Sequence, residues 1–258
     1  KRLNESRADA TTPALPDLPD FGQWGPVHEE DMDAVRRATA DHMALAWSQG
    51  PHVTQHARAD IDDLEERRRK FGKRAEKEGA KLTVTAILLK IVASGLKVFP
   101  KLNSRVDMAA HKVVYKCYIH IGVAVDTPRG LLVPVLRNVD QLNILEVAKQ
   151  LGDMASRARD GKLSPAELHG GTFTLTNLGG IGGSFFTPIV NWPEVAILGV
   201  QRSEKMPVCG KDGLCAPRLM LPLSLSYDHR LVDGADAARF LRWVCEALEE
   251  PLLMSLEG

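Results

Sequence analysis

The segment from Asp228 to Arg230 contains the residue best suited to acid–base chemistry. His229 stands between a carboxylate and a guanidinium, directly after residues 221–227, whose alternating side chains predict a strand with one buried face. A second carboxylate, Asp233, follows in the turn before the next helix. A histidine held at a strand end is well placed to act as a general base. The residues alone leave an ordinary loop histidine equally open.

A second candidate is the glycine-rich segment at residues 170–184. Threonines alternate along its first part, which predicts a strand, and a run of glycines follows. The segment has neither the Gly-Lys-Ser/Thr of a phosphate loop nor the spacing of a dinucleotide fold. The chain contains no GxSxG elbow, which disfavours a Ser-His-Asp hydrolase. The segment therefore predicts either a tight turn or a hydroxyl donor, Thr176, at the mouth of a site.

The spacing of histidines and cysteines disfavours a metal site and a disulfide framework. His52 and His56 share one face of a strand-like run, but no third ligand joins them at a standard spacing, so we predict no metal. Four cysteines in 258 residues favour reduced thiols. Cys209 and Cys215 flank a Gly-Lys-Asp-Gly turn and are the pair that could meet across a hairpin.

The composition limits the classes of partner. With 33 basic and 33 acidic residues, the formal net charge is zero, so we expect no nucleic-acid and no membrane partner. Residues 1–25 contain three spaced prolines and no helical stripe, which predicts an interdomain linker, and residues 26–258 predict one domain. No apolar signal segment begins the sequence, which favours the bacterial cytoplasm, or the mitochondrial matrix if a leader was removed.

Apolar periodicity predicts strands interspersed with helices. The helices are expected near 31–48, 61–78, 84–98 and 144–158, and from 235 onward. The strands are expected at 52–60, 112–125, 131–137, 172–177, 194–201 and 216–227. Asn143 and Glu146 stand where a capping box would start the helix at 144. This order predicts an α/β domain with a mixed sheet.

Several separated segments resemble one protein family. They are SLSYDHRLVDGADAARF at 224–240, PEVAILGV at 193–200, GGTFTLTNLG at 170–179, PHVT at 51–54, IGVAVDTPRGLLVPV at 121–135 and RARDGKLSPAEL at 157–168. The chain is similar, from about residue 26 to its end, to the catalytic domain of dihydrolipoamide acyltransferases, the core components of 2-oxo acid dehydrogenase complexes. The resemblance implies a chloramphenicol-acetyltransferase-like fold, assembled as trimers with each active site between two subunits.

The resemblance also implies acyl transfer between the thiol of a dihydrolipoyl arm and the thiol of coenzyme A. His229 matches the family's general base, and Thr176 matches a position that most often carries serine, whose hydroxyl stabilises the tetrahedral oxyanion. Asp233 matches an aspartate that orients the active-site loop through an ion pair with an arginine, for which Arg36 and Arg37 are both candidates. A thiol is only about 3% ionised at pH 7, so a base should speed its attack.

The family further implies binding positions and partners. The positions matched for coenzyme A are Arg68, Thr83, Asp126, Asn177 and Gly180. The lipoyl group would be supplied by a separate lipoyl domain, attached through the linker and not present in this chain. The apolar segment 251–256 resembles the tail through which family trimers join into a larger cubic core, with a frayed helix end as the alternative. The decarboxylase and dihydrolipoamide dehydrogenase components of the complex are the remaining implied partners.

The resemblance indicates the identity of the acyl group less directly than it indicates the reaction. The segments PRLMLPLSLSYDHR and PIVNWPEVAILGV resemble the acetyl-transferring, pyruvate branch most closely. Trp192 is unusual beside that match, which leaves succinyl and branched-chain acyl groups open. A stand-alone small-molecule acetyltransferase of this fold carries HHxxxDG, whereas Asp228 precedes the histidine here. A non-catalytic scaffold is the last alternative, and the retention of His229, Thr176 and Asp233 argues against it.

Overall fold

The computed structural model describes residues 17–210 and 213–257, which divide into two units after Asp33. In the first unit, residues 17–33 are exposed and include a 3-10 helix at Phe21–Trp24. The carboxylate of Asp20 caps this helix by accepting a hydrogen bond from the Gly22 N–H at 2.9 Å. Residues 1–16 lie outside the described residues, so the linker at 1–25 stays a prediction.

The second unit contains six α-helices, eleven strands and three short 3-10 helices within the described residues. The helices are α1 (Ala34–Ser48), α2 (Asp62–Lys77), α3 (Val84–Val98), α4 (Ile144–Arg159), α5 (Gly234–Glu249) and α6 (Leu253–Glu257). The strands are β1 (His52–Asp60), β2 (Ser104–Asp107), β3 (Lys112–Tyr115), β4 (Ile121–Val123), β5 (Val125–Thr127), β6 (Gly130–Leu132), β7 (Val135–Leu136), β8 (Phe173–Asn177), β9 (Ala196–Val200), β10 (Glu204–Cys209) and β11 (Cys215–Asp228).

A mixed seven-stranded sheet forms the framework of this unit. Its order is β1-β11-β9-β8-β4-β7, and β10 pairs with the first part of β11. Strand β8 runs parallel to β4 and β9, while the other pairs are antiparallel. Two further two-stranded sheets join β2 to β3 and β5 to β6. The predicted α/β architecture with a mixed sheet is therefore confirmed.

Helix α3 lies in the core because it is apolar on nearly every side. Its residues 86–96 are buried apart from Lys90, and it packs against α4 and α5. Gly95 makes this contact possible, since a Cβ there would lie 3.0 Å from the rings of both Phe240 and Trp243. A helix this apolar is stabilised mainly by burial of its side chains.

The predicted start of α4 is confirmed, whereas the strand predicted at 112–125 is not continuous. Helix α4 begins at the expected capping box, in which Glu146 N–H donates to the Asn143 side chain at 3.0 Å and Asn143 N–H donates back at 2.8 Å. The strand expected at 112–125 is instead divided into β3, β4 and β5. Residues between β3 and β4 leave the ladder, where the Asn103 amide donates to the carbonyls of Lys116 and Tyr118.

The expectation of reduced thiols is wrong for one pair of cysteines. Cys209 and Cys215 face each other in the β10–β11 register and form a disulfide. The antiparallel register of β10 and β11 places the two cysteines opposite each other, which the cysteine count alone does not indicate. Cys117 and Cys245 are free, the first exposed and the second buried.

None of the described helices is both long and apolar enough to cross a membrane.

Candidate active site

His229 lies exposed in the turn between β11 and α5. Its backbone N–H donates to the carbonyl of Pro51 at 2.9 Å, and its ring centroid is 5.7 Å from that of the buried Tyr227. The N–H of Val232, a fully buried residue, donates to the Asp228 carbonyl at 3.0 Å and closes the turn. The turn is therefore anchored to the core while it presents the imidazole to solvent.

An ion pair between the two neighbours of His229 fixes the turn. Arg230 Nη2 lies 2.6 Å from Asp228 Oδ2, and Arg230 Nε donates to both carboxylate oxygens at 3.0 and 3.1 Å. The Arg230 backbone N–H also donates to Asp228 Oδ1 at 3.0 Å. The bond to this 7% exposed carboxylate raises the pKa of the Arg230 guanidinium. We refer to this pair as the Asp228–Arg230 clamp.

Gly50 leaves the space that the clamp occupies. A Cβ at this position would lie 2.9 Å from both carboxylate oxygens of Asp228 and 3.0 Å from Arg230 Nε. No side chain could be placed there without displacing one of the charged groups. The strand pairing of β1 with β11 brings Gly50 close to residue 228, although the two are far apart in sequence.

Thr176 is half-buried near the C-terminal end of β8. Since Phe173 and Leu175 belong to the core, the alternating threonine side chains point to the opposite face of the sheet. On that face, Thr176 lies level with Gly199 of β9, which in turn pairs with Ser224 of β11. The face is polar, which suits a residue that must offer a hydroxyl to a ligand.

Thr176 and His229 are not brought together within one chain. The register places Thr176 level with Ser224, two strands away, and His229 follows Ser224 by five residues. At about 3.3 Å per residue and about 4.8 Å per strand, the two side chains are separated by roughly 15 Å or more. They can act on one reacting group only if each comes from a different subunit.

Asp233 caps the start of α5 as its N-cap residue, without a side-chain capping bond. Its pairing with Arg36 or Arg37 stays a prediction. The pKa of Lys101 is raised mainly by its hydrogen bond to Asp236, and the negative charge of Asp233 adds to this effect. The pKa of Tyr227 is raised mainly by burial and also by the charge of Asp233. The orienting role of Asp233 stays a prediction.

A cavity of about 610 Å³ opens at the end of β8 and is lined by residues of β8, α3 and α4. Four of the five positions matched for coenzyme A line it, namely Thr83, Asp126, Asn177 and Gly180. The Asn177 side chain is fixed there, because its Nδ2 donates to Thr85 Oγ1 at 2.8 Å and its Oδ1 accepts from the Gly179 N–H at 2.7 Å. A volume of this size is typical of a ligand site.

Two basic residues in this cavity were missed by the sequence analysis. Lys81 precedes α3 and Arg159 ends α4, and both line the cavity. The N-terminus of α3 lies beside them and adds a partial positive charge. Arg159 lies within the family-like segment at 157–168, but that segment does not point to Lys81, and only the packing of α3 against α4 brings the two residues together. The cavity is therefore suited to an anionic ligand.

Arg68 lies outside this cavity. Its Nε and Nη2 each donate to a carboxylate oxygen of Glu65 at 2.7 Å, and its Nη1 donates to the Leu82 carbonyl at 2.9 Å. These bonds raise the pKa of Arg68 and lower that of Glu65. The guanidinium thus ties α2 to the start of α3, and its contact with coenzyme A stays a prediction.

The two histidines considered for a metal are held by other groups. His52 Nδ1 lies 2.9 Å from the Gly50 carbonyl oxygen, and His56 Nδ1 lies 2.9 Å from Ser224 Oγ. Within the described ranges, no cluster of three or more histidine, cysteine, aspartate or glutamate side chains is arranged to hold a metal ion.

The fold is shared with chloramphenicol acetyltransferase, at a TM-score of 0.54 and 13% identity over 81% of this chain and 94% of that one. This likeness confirms the expected chloramphenicol-acetyltransferase-like fold. A model described as 2-oxoacid dehydrogenases acyltransferase (catalytic domain) matches residues 25–256. The chain belongs to this family, as the sequence motifs predicted.

Individual relatives are similar over most of this chain. The dihydrolipoyllysine-residue acetyltransferase component of the pyruvate dehydrogenase complex of Pseudomonas aeruginosa is 48% identical over 93% of this chain, which spans 44% of that relative. The dihydrolipoamide acetyltransferase of Azotobacter vinelandii has a TM-score of 0.90 at 46% identity, covering 93% of this chain and 100% of that one. The cubic core of a pyruvate dehydrogenase multienzyme complex also gives 0.90, at 45% identity and with the same coverage.

The Azotobacter vinelandii structure addresses a serine, a histidine and an asparagine in that protein's catalytic mechanism. Its histidine and asparagine are four positions apart, as His229 and Asp233 are here. The chain spans less than half the length of the first curated relatives that it matches.

Proposed function

We propose that this chain transfers an acetyl group between the thiol of a dihydrolipoyl arm and the thiol of coenzyme A, within a pyruvate dehydrogenase complex. The observation that carries the proposal is the 610 Å³ cavity at the end of β8, which gathers four of the five positions matched for coenzyme A. The similarity to acetyltransferase components of that complex supports acetyl as the acyl group.

His229 acts as the general base in this proposal. Its imidazole takes the proton from the coenzyme A thiol as the sulfur attacks the carbonyl carbon of the acetyl thioester. When the tetrahedral intermediate collapses, the carbon–sulfur bond to the lipoyl arm breaks, and the imidazolium returns the proton to the departing sulfur. The Asp228–Arg230 clamp holds the turn, so that the ring is positioned before the substrate arrives.

Thr176 stabilises the oxyanion of the intermediate. Attack on the thioester places negative charge on the carbonyl oxygen, and the hydroxyl of Thr176 donates a hydrogen bond to it. Because Thr176 and His229 are far apart in one chain, His229 of one subunit faces Thr176 of the next. The reaction therefore requires an oligomer, which we propose to be a trimer.

Trimers would join further through the C-terminal segment. An apolar groove of about 440 Å³ is lined by side chains of α2, α3, α4 and the C-terminal residues, including Phe71 and Ile144. Leu252 and Leu256 are 67% and 74% exposed. We propose that the groove receives these leucines from a second copy, in a core like the cubic core to which this chain is similar. A separate lipoyl domain, the decarboxylase and dihydrolipoamide dehydrogenase would then act around this core.

The function is tested by acyl transfer from acetyl-CoA to free dihydrolipoamide, with succinyl-CoA and isobutyryl-CoA as comparison donors. We expect acetyl transfer to be the fastest of the three, and sedimentation to show a particle of many trimers. If transfer from another donor were faster, that donor's acyl group, and not acetyl, would be the natural substrate. If a correctly assembled protein transferred none of these acyl groups, the enzymatic function would be contradicted and a non-catalytic scaffold would be the remaining interpretation. If sedimentation showed an isolated trimer, assembly into a larger core would be contradicted.

The cavity cations are expected to set the affinity for coenzyme A. Arg159→Ala and Lys81→Ala should each raise KM for coenzyme A by about tenfold with little change in kcat, because binding to phosphate is lost equally in the ground and transition states. Arg242→Ala removes an exposed cation that is paired with Glu246 and serves as the control. A raised KM in Arg68→Ala, with none in Arg159→Ala and Lys81→Ala, would contradict the cavity as the binding site.

A further inference from the structure

Glu194 is a buried ionisable residue that the mechanism above does not use. It is 5% exposed, in the loop between β8 and β9. Thr174 Oγ1 donates to its Oε2 at 2.6 Å, and Asn191 Nδ2 donates to its Oε1 at 3.3 Å. A Cβ on Gly171 would lie 2.5 Å from Oε1, so the backbone leaves space for the carboxyl group. Both oxygens are therefore held in defined positions.

A small cavity joins Glu194 to the Asp228–Arg230 clamp. Its volume is about 10 Å³, about the smallest that can hold one water molecule, and its walls include Gly50, His52, Glu194 and both residues of the clamp. The cavity lies directly behind the turn that carries His229. Glu194 and Asp228 thus place two carboxyl groups around one small cavity.

His52 adds a hydrogen-bonding atom to this cavity. Its Nδ1 faces the Gly50 carbonyl oxygen, which can only accept, so Nδ1 carries the proton and Nε2 is the acceptor in the neutral ring. Among the described residues, the buried His52 Nε2 has no hydrogen-bond partner. One water in the cavity would donate to Nε2 and to a carboxylate, and would connect His52 with the clamp.

We propose that Glu194 is a positioning residue for His229, acting on the Asp228–Arg230 clamp through the cavity that they share. The inference rests on the acyl transfer proposed above. While Glu194 is neutral, Arg230 balances the single charge of Asp228. Ionised Glu194 adds a second negative charge to the cavity that Asp228 also lines, and the repulsion loosens the turn. The effect on the clamp exceeds any direct effect on the His229 ring, because Asp228 is buried and His229 is screened by solvent.

The charge of Glu194 changes within the working pH range. Burial, opposed by the bond from Thr174 and by the charge of Lys116, raises the pKa of Glu194 to about 7. The pKa of Lys116 is itself lowered, first by burial and also by Arg105. From α1, His42 reaches this network through Asn191, at 2.9 Å.

The test is the pH profile of kcat for acetyl transfer in the assembled protein. In the wild type, kcat should fall about fivefold between pH 7 and pH 8.5 as Glu194 ionises. Glu194→Gln keeps the shape of the neutral carboxyl, so it should match the wild type within about twofold at pH 6 and lack this fall. Thr174→Val removes a bond that favours the charged form, and should move the fall to higher pH. Glu167→Gln, on a half-buried carboxylate paired with Arg157, is the control.

A purely structural role is separated from positioning by stability and hydrogen exchange. The folded-state pKa of Glu194 lies above its usual 4.5, so folding is favoured while the carboxyl is neutral and is weakened as pH rises from about 4.5 to about 7. Glu194→Gln should therefore have a higher Tm than the wild type at pH 8 and a similar Tm at pH 5. Exchange of the amides at 229–232 should accelerate in the wild type above pH 7, beyond the intrinsic rate, and not in Glu194→Gln.

Identical kcat profiles and identical exchange in the two proteins would overturn the positioning role, even with the expected Tm difference. If the wild type transferred no acyl group, the function proposed above would fail, and the exchange measurement would still decide whether Glu194 controls the turn.

Discussion

Replacement of His229 by alanine is expected to lower kcat for acetyl transfer by about 10²–10⁴-fold, the usual contribution of a general base. The imidazole is exposed on a turn that is anchored by its backbone and by the Asp228–Arg230 clamp, so its removal should leave the fold intact. KM for acetyl-CoA should change little, because the 610 Å³ cavity does not include His229. Steady-state kinetics with acetyl-CoA and dihydrolipoamide measure both constants.

His111→Asn is the matched control for this variant. His111 is exposed and has a φ of 51°, which asparagine adopts more readily than most residues, so activity and folding should be unchanged. If His229→Ala kept kcat within a factor of a few of the wild type, the histidine would not be the base, and the resemblance on which its role rests would not extend to the mechanism.

Loss of the Thr176 hydroxyl is expected to lower kcat by about 10²–10³-fold, as for other single oxyanion donors. Thr176→Val tests this most cleanly, because valine has nearly the same shape and is equally suited to a strand. The half-buried position of Thr176 in β8 should tolerate the added methyl group. The loss should appear in kcat and in kcat/KM alike, because the hydrogen bond is made in the transition state.

Thr176→Ser keeps the hydroxyl and should retain most of the activity. Serine has more rotational freedom about χ1 than threonine, so a small loss or gain in kcat is compatible with the same role. A fully active Thr176→Val, or an inactive Thr176→Ser, would show that the hydroxyl is not the oxyanion donor.

Much of the fold and part of the site could be predicted because their signals are local. The capping box at Asn143 and Glu146 marks the start of α4, and the alternation in residues 221–227 marks the end of β11 ahead of His229. The motif around His229 was recognisable because the strand end, the turn and the helix start are consecutive in sequence. Signals of this kind need no knowledge of distant contacts.

The remaining features depend on pairing between distant segments. The distance between Thr176 and His229 follows from the order and register of β8, β9 and β11, which neither residue's own segment encodes. Glu194 was missed for the same reason, because its partner Thr174 lies on another element and the cavity behind it is shared with β1 and β11. The prediction of one continuous strand at 112–125 was wrong because the side chain of Asn103, from an earlier segment, binds the Lys116 carbonyl and interrupts the strand pairing there.

The central claim is that each active site combines His229 of one subunit with Thr176 of another. It is tested by mixing two inactive proteins, His229→Ala and Thr176→Val, under conditions that allow subunits to exchange, and measuring acetyl transfer. Random assembly in equal amounts should restore about one quarter of the wild-type activity, since about one interface in four then carries both intact residues. Each variant incubated alone should stay inactive. If the exchanged mixture were no more active than the separate variants, the site would not lie between subunits.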